Sequence, residues 1–189
     1  MQALLDRLEA ISKILLILGT LIGGVWGIYQ YFERLQEQRV AMTLDYVRRL
    51  NSEQLLASQT QLSAAWYGVR DKLRLVRETP VAFREIYVAR QRQLVMSVMA
   101  GSSAASSGEG RTSLVSALDL LEGFFSELRI CVDSNICDPK TARTYFGSYA
   151  KRLYCLHEPF IRYKDKTFSD GYGAALRSFS LSGSAVCTP

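Results

Sequence analysis

A chain of 189 residues, 48% hydrophobic and 22% charged, is long enough for one compact core plus an appendage. Its ordinary hydrophobic share excludes a polytopic membrane protein. The net charge of +5 leaves anionic lipid and nucleic acid open as partners, and it equally suits the cationic flanks of a single membrane span.

Residues 1–13 place Leu4, Leu8 and Ile11 at helical spacing, with Asp6, Arg7 and Glu9 elsewhere, which predicts a short amphipathic lead-in. Residues 14–32 carry no charge over nineteen positions, about the length that crosses a bilayer core as a helix. Within them Gly19, Gly23 and Gly27 recur every fourth residue. A four-residue step drifts only about 40° around a helix, so the three share one stripe on which another helix backbone can approach closely. Trp26, Tyr29 and Tyr31 suit an aromatic belt at the interface, and no Ala-x-Ala-like cleavage site follows, so the run reads as an uncleaved anchor. Arg34, Arg39, Arg48 and Arg49 outnumber Arg7 and Lys13 across it, which predicts a cytoplasmic C-terminal part at a bacterial inner membrane.

Residues 33–50 contain no helix breaker and extend the span as a stalk of about 25 Å. Residues 51–163 read as a helical bundle. Asn51 with Gln54 resembles a capping box, and Leu55, Leu62, Trp66, Val69, Leu73 and Val76 predict one helix of about 25 residues. Thr79-Pro80 opens a second helix reaching about Met99. The small, polar residues 101–112 predict a flexible loop without P-loop spacing. The strongest soluble helix runs from Ser113 to Val132, with Leu114, Leu118, Leu121, Phe124, Phe125, Leu128 and Cys131 on one face. Asp138-Pro139 starts another, which Pro159 is expected to kink or end near His157. In the tail, residues 164–189, Phe168, Tyr172, Leu176 and Phe179 hint at one short docking helix. With no long period-two alternation, the predicted class is all-α: one transmembrane helix continuing into a stalk, then a cytosolic bundle of about four helices.

Residue sets for chemistry are scarce. His157 is the sole histidine, Cys155 points to a different side of its helix, and Cys131 and Cys137 do not match zinc spacing. No enzyme, metal or cofactor is expected. In an extracytoplasmic domain Cys131 and Cys137 could pair; in a cytosolic one they are small buried hydrophobes, the reading the arginine bias favours. Arg70, Lys72, Arg74, Arg77, Arg84, Arg90 and Arg92, interleaved with Trp66, Tyr67, Phe83 and Tyr87, form a candidate site for a nucleotide, oligonucleotide or anionic lipid. A solvated helix surface over core aromatics is the competing reading. Arg143, Lys151, Arg152, Arg162, Lys164 and Lys166 make a second basic set.

The segment Leu120-Leu-Glu-Gly-Phe-Phe-Ser-Glu-Leu-Arg-Ile-Cys-Val-Asp-Ser-Asn-Ile-Cys-Asp-Pro, the following Phe146-Gly-Ser-Tyr-Ala-Lys-Arg-Leu-Tyr-Cys-Leu-His, the N-terminal span and Tyr46-Val-Arg-Arg-Leu-Asn-Ser together carry a resemblance. They resemble a broad group of small bacterial single-span membrane proteins with a helical soluble domain, and the resemblance supplies no catalytic residues. The layout is also similar to membrane effectors of bacterial anti-phage systems, by architecture alone. It implies a homo-oligomeric effector, an ion channel or membrane-perturbing protein, gated by a nucleotide or oligonucleotide on the basic domain. The alternative is a membrane-tethered adaptor whose glycine stripe packs on a partner protein.

Overall fold

The computed structural model describes the backbone of residues 2–78, 83–105, 113–168, 170–180 and 187. Side chains are described for the same residues except 2–17, 77, 84 and 102–105. Among the described residues the protein is all-α, with seven helices and no strand: α1 (Gln2–Leu50), α2 (Glu53–Gly68), α3 (Arg70–Arg77), α4 (Arg84–Ala105), α5 (Leu114–Asp133), α6 (Pro139–Thr167) and α7 (Ala174–Ser180). The chain forms two compact units, Met1–Ala41 and Met42–Pro189.

In the first unit α1 runs without a break, as the absence of Pro and of any capping signal dictates. Among the described residues no helix is long and apolar enough to cross a membrane. The first four residues of the uncharged run, 14–17, have side chains outside the described ones, as does the lead-in of residues 1–13.

The second unit is built around α5. Ser113 caps it, its Oγ accepting from the Ser116 amide at 3.1 Å. Leu114, Leu118, Leu121, Phe124, Phe125, Leu128 and Cys131 recur at three- and four-residue intervals and are buried on one face, against α2, α4, α6 and α7, while Ile130 points away from it. Phe125 is fully enclosed, with the rings of Phe124, Tyr149, Phe179 and Phe146 at 5.3, 6.1, 5.9 and 6.4 Å. Edge-on and offset rings of this kind add to the area they bury.

Several local expectations change. Asn51 is no N-cap: its side-chain amide donates back to the Val47 carbonyl at 3.0 Å, and the extended Ser52 precedes α2 instead. The expected 25-residue helix divides after Gly68, a poor helix former, where Val69 leaves helical geometry and its amide turns to the Trp66 carbonyl at 3.2 Å. The helix expected from Pro80 begins, as described, at Arg84 and continues to Ala105, into the stretch read as loop; Thr79, Pro80 and residues 106–112 lie outside the described ones. Nor does α6 end at His157. Pro159 removes the amide that would bond the Cys155 carbonyl, and Gln91 Nε2 from α4 lies 3.5 Å from that carbonyl in its place. The helix therefore continues to Thr167.

The cysteines differ most. Among the described residues none is free: Cys131 pairs with Cys137, and Cys155 pairs with Cys187. The first bond closes the turn between α5 and α6. There Asn135 adopts φ 58°, a left-handed conformation that asparagine tolerates. Asp138 then caps α6, its Oδ2 accepting from the Thr141 amide at 2.7 Å, while its own amide donates to the buried Thr43 Oγ1 at 2.8 Å. The tail does supply a docking helix, α7, whose Ala175, Leu176 and Phe179 are buried. Its approach requires Gly173: at φ 78°, a Cβ there would lie 2.3 Å from Ile161 Cγ2.

Candidate functional site

Residues 18–32 of α1 have a geometry that the four-residue repeat only hinted at. At about 100° per residue, Leu18, Leu21, Ile22, Val25, Trp26, Ile28, Tyr29 and Phe32 occupy an arc of about 160°. All eight are exposed, between 48% and 69%. Gly19, Gly23 and Gly27 fall on a separate strip about 80° wide, with Gln30 between the lines of Gly19 and Gly23 and Thr20 beside Gly27. A Cβ placed on any of the three glycines meets nothing within 4 Å. The helix thus has a broad bulky apolar arc and a narrow glycine strip carrying Thr20 and Gln30, with the exposed Tyr31 bordering the strip beyond Thr20. Thr20 and Gln30 escaped the sequence reading, which followed the glycine spacing alone.

The first basic set is not gathered into one site. Arg70 Nη1 donates to Tyr67 Oη at 2.8 Å, its guanidinium lies 4.7 Å from that ring's centroid, and Asp71 is 3.9 Å away. Arg74 pairs with Glu78 at 3.5 Å. Lys72 and Arg90 are exposed, whereas Arg92 lines a groove between α4 and α6 together with Arg162, Tyr163 and Lys166. The side chains of Arg77 and Arg84 lie outside the described residues. The interleaved rings also diverge: Trp66 is buried, Tyr87 is half-buried, and Tyr67 and Phe83 are exposed.

Trp66 instead serves the interior. Its Nε1 donates to His157 Nε2 at 2.9 Å, and His157 Nδ1 lies 2.9 Å from the Leu153 carbonyl. Two contacts of this kind fix the proton on Nδ1 and leave Nε2 as acceptor. Burial pushes the imidazole down to about 4, so the ring is neutral at physiological pH. Both ring nitrogens are engaged: Nε2 ties α6 to α2, and Nδ1 bonds within α6.

From the second basic set, Lys164 is likewise structural. Its Nζ donates to Asp119 Oδ1 at 2.6 Å and lies 4.5 Å from the Tyr172 ring centroid; Tyr172 Oη donates to the same oxygen at 2.6 Å. Burial, then the Asp119 carboxylate, push the Tyr172 phenol well above its ordinary range, so it stays a donor. This clasp joins α5, α6 and the segment leading into α7. Arg162 pairs with Glu158 at 2.7 Å, and Arg49 makes a two-pronged pair with Glu127.

No protein family, curated protein or solved structure matches this chain.

Proposed function

We propose that this chain is a single-span membrane protein that assembles with copies of itself through α1, an effector whose helical domain faces an oxidising compartment. The observation that carries the reading is the division of residues 18–32 into a bulky apolar arc and a smooth strip of Gly19, Gly23, Gly27, Thr20 and Gln30. Tethering needs apolar bulk on every side. The three glycines let a second helix approach closely, and an interhelical hydrogen bond from Gln30 contributes about 1 kcal/mol. Lipid covers the arc, and a second copy covers the strip. One span encloses no pore, so ion conduction in this reading requires several copies around an axis.

The compartment follows from the cysteines. Disulfides persist in oxidising surroundings, and here all four cysteines pair. The arginine bias points the other way, but it amounts to four basic residues against two. Such a placement separates the domain from the cytosolic nucleotide pool, so assembly, not nucleotide gating, is the core of the proposal.

Measuring the mass of the full chain in a neutral detergent tests it. The expected result is an oligomer that Gly23→Leu converts to monomer by holding the backbones apart. A monomeric wild-type chain contradicts the assembly. An oligomer indifferent to Gly23→Leu contradicts the role of the strip. Blocking thiols in intact cells before lysis reads the compartment: four protected cysteines support it, and four labelled cysteines oppose it.

A further inference from the structure

The first half of α6 and the end of α7 enclose a groove of about 550 Å³ whose function nothing above supplies. Lys140, Arg143 and Lys151 stand along it on one face of α6. Ser148 adds a hydroxyl, and Gly147 forms part of the floor. A Cβ at Gly147 would sit in ordinary contact with the Phe179 carbonyl oxygen, at 3.6 Å. Lys140 and Lys151 are eleven residues apart, or about 16 Å along the helix.

The groove stands out for its charge. Among the described residues, Arg48, Arg49, Arg70, Arg74, Arg129, Arg162 and Lys164 each have a carboxylate within 4.0 Å. Lys140, Arg143 and Lys151 have none, a condition they share with Lys72, Arg90, Arg92, Arg152, Lys166 and Arg177; the groove differs in that three such cations line it together and its described lining holds no carboxylate. Three like charges in a concave, partly apolar wall sum to a local positive potential that only an added anion offsets. We propose that this groove binds a linear phosphate-bearing polyanion whose charges repeat over roughly 16 Å, the spacing that Lys140 and Lys151 set. Arg143 supplies a planar fork for one phosphate, the two lysines supply point charges at either end, and Ser148 donates between them.

Inorganic polyphosphate of about ten units is the probe, titrated against the full chain in neutral detergent. The expected result is saturable binding that weakens roughly twenty- to fortyfold from 50 to 200 mM salt, as neutralising about three phosphates requires. Lys140→Glu, Arg143→Glu and Lys151→Glu together are expected to weaken it at least tenfold. The same charge change at Lys72, Arg74 and Arg90, outside the groove, is expected to leave it within twofold. All these residues are exposed. Ser148→Trp fills the groove without altering charge and is expected to weaken binding as well. Equal losses from the two charge-reversed triplets, full binding by Ser148→Trp, or no saturable binding would each overturn the proposal. So would groove-dependent binding to micelles doped with anionic lipid but not to polyphosphate, which would make a membrane surface the source of the anion.

Discussion

Leu21, Ile22, Val25 and Trp26 on α1 are 61–69% exposed, whereas Leu118, Leu121, Phe125 and Leu128 on α5 are fully enclosed. Both helices are strongly apolar in sequence, and their surroundings differ because their polar residues do. On α5 the apolar face is matched by Asp119, Glu122, Glu127 and Arg129 elsewhere around the helix, so one side can meet the core and the other water. Residues 18–32 have no charged side at all. A helix of that kind, packed by one face onto a small domain, would leave most of its apolar surface in water. In the proposed reading that surface is covered from outside the chain, by lipid on the arc and another helix on the glycines. The helical domain, by contrast, supplies its own partners down to single polar atoms, and among the described residues no buried side-chain polar atom lacks a hydrogen bond.

Truncation tests this contrast most forcefully. Phe125→Ala is expected to cost the domain about 3–5 kcal/mol in urea unfolding of the full chain in detergent, because a void replaces a ring enclosed by four others. Leu21→Ala is expected to change the same transition by less than about 0.5 kcal/mol. A similar loss at both positions would erase the distinction between the units.

The disulfides come next. Cys155 and Cys187 are 32 residues apart and Cys131 and Cys137 six, so loop closure restricts the unfolded chain more in the first case. Replacing Cys155 and Cys187 by Ser is expected to lower stability by about 4 kcal/mol, and replacing Cys131 and Cys137 by about 2 kcal/mol. The reverse order, read from the same unfolding curves, would contradict the entropic origin.

His157 sharpens the claim of self-sufficiency through pH. Its folded value lies below its unfolded one, so the unfolded chain binds the proton first as pH falls. The stability it contributes is therefore complete above about 6.5 and is lost progressively toward about 4. The loss over that window is on the order of 3 kcal/mol at about 1.4 kcal/mol per tenfold. His157→Gln is expected to flatten that part of the stability profile; an unchanged slope would show that the ring is solvated. The smallest effect is at the clasp. Tyr172→Phe removes one hydrogen bond to Asp119 and is expected to cost about 1 kcal/mol. A loss within error would leave that segment held by Lys164 against the Tyr172 ring and by the Gly173 amide donating to Glu122.

What could be read from the residues was whatever repeats locally. The face of α5, the Asp138-Pro139 start of α6 and the docking residues of α7 each lie within a few turns of chain, and all three elements are present. What escaped depended on distant partners. Pro159 reads as a stop until Gln91, 64 residues before Cys155, reaches the carbonyl that the proline leaves unpaired. Cys155 and Cys187 carry no spacing signal that would pair them. Trp66 among arginines looked like a stacking platform, but its partner, His157, is 91 residues away. The basic sets failed to resolve for the same reason, since sequence shows charges and hides which carboxylates neutralise them. Lys140 was missed beside Arg143 and Lys151 because the groove's other wall comes from α7.

Extraction at alkaline pH of membranes carrying the full chain puts the central contrast to its most direct test. If lipid covers the apolar arc of residues 18–32, the chain stays in the membrane pellet after the wash. Release of the intact chain into the supernatant would contradict that placement, and with it the assignment of the exposed arc to a bilayer.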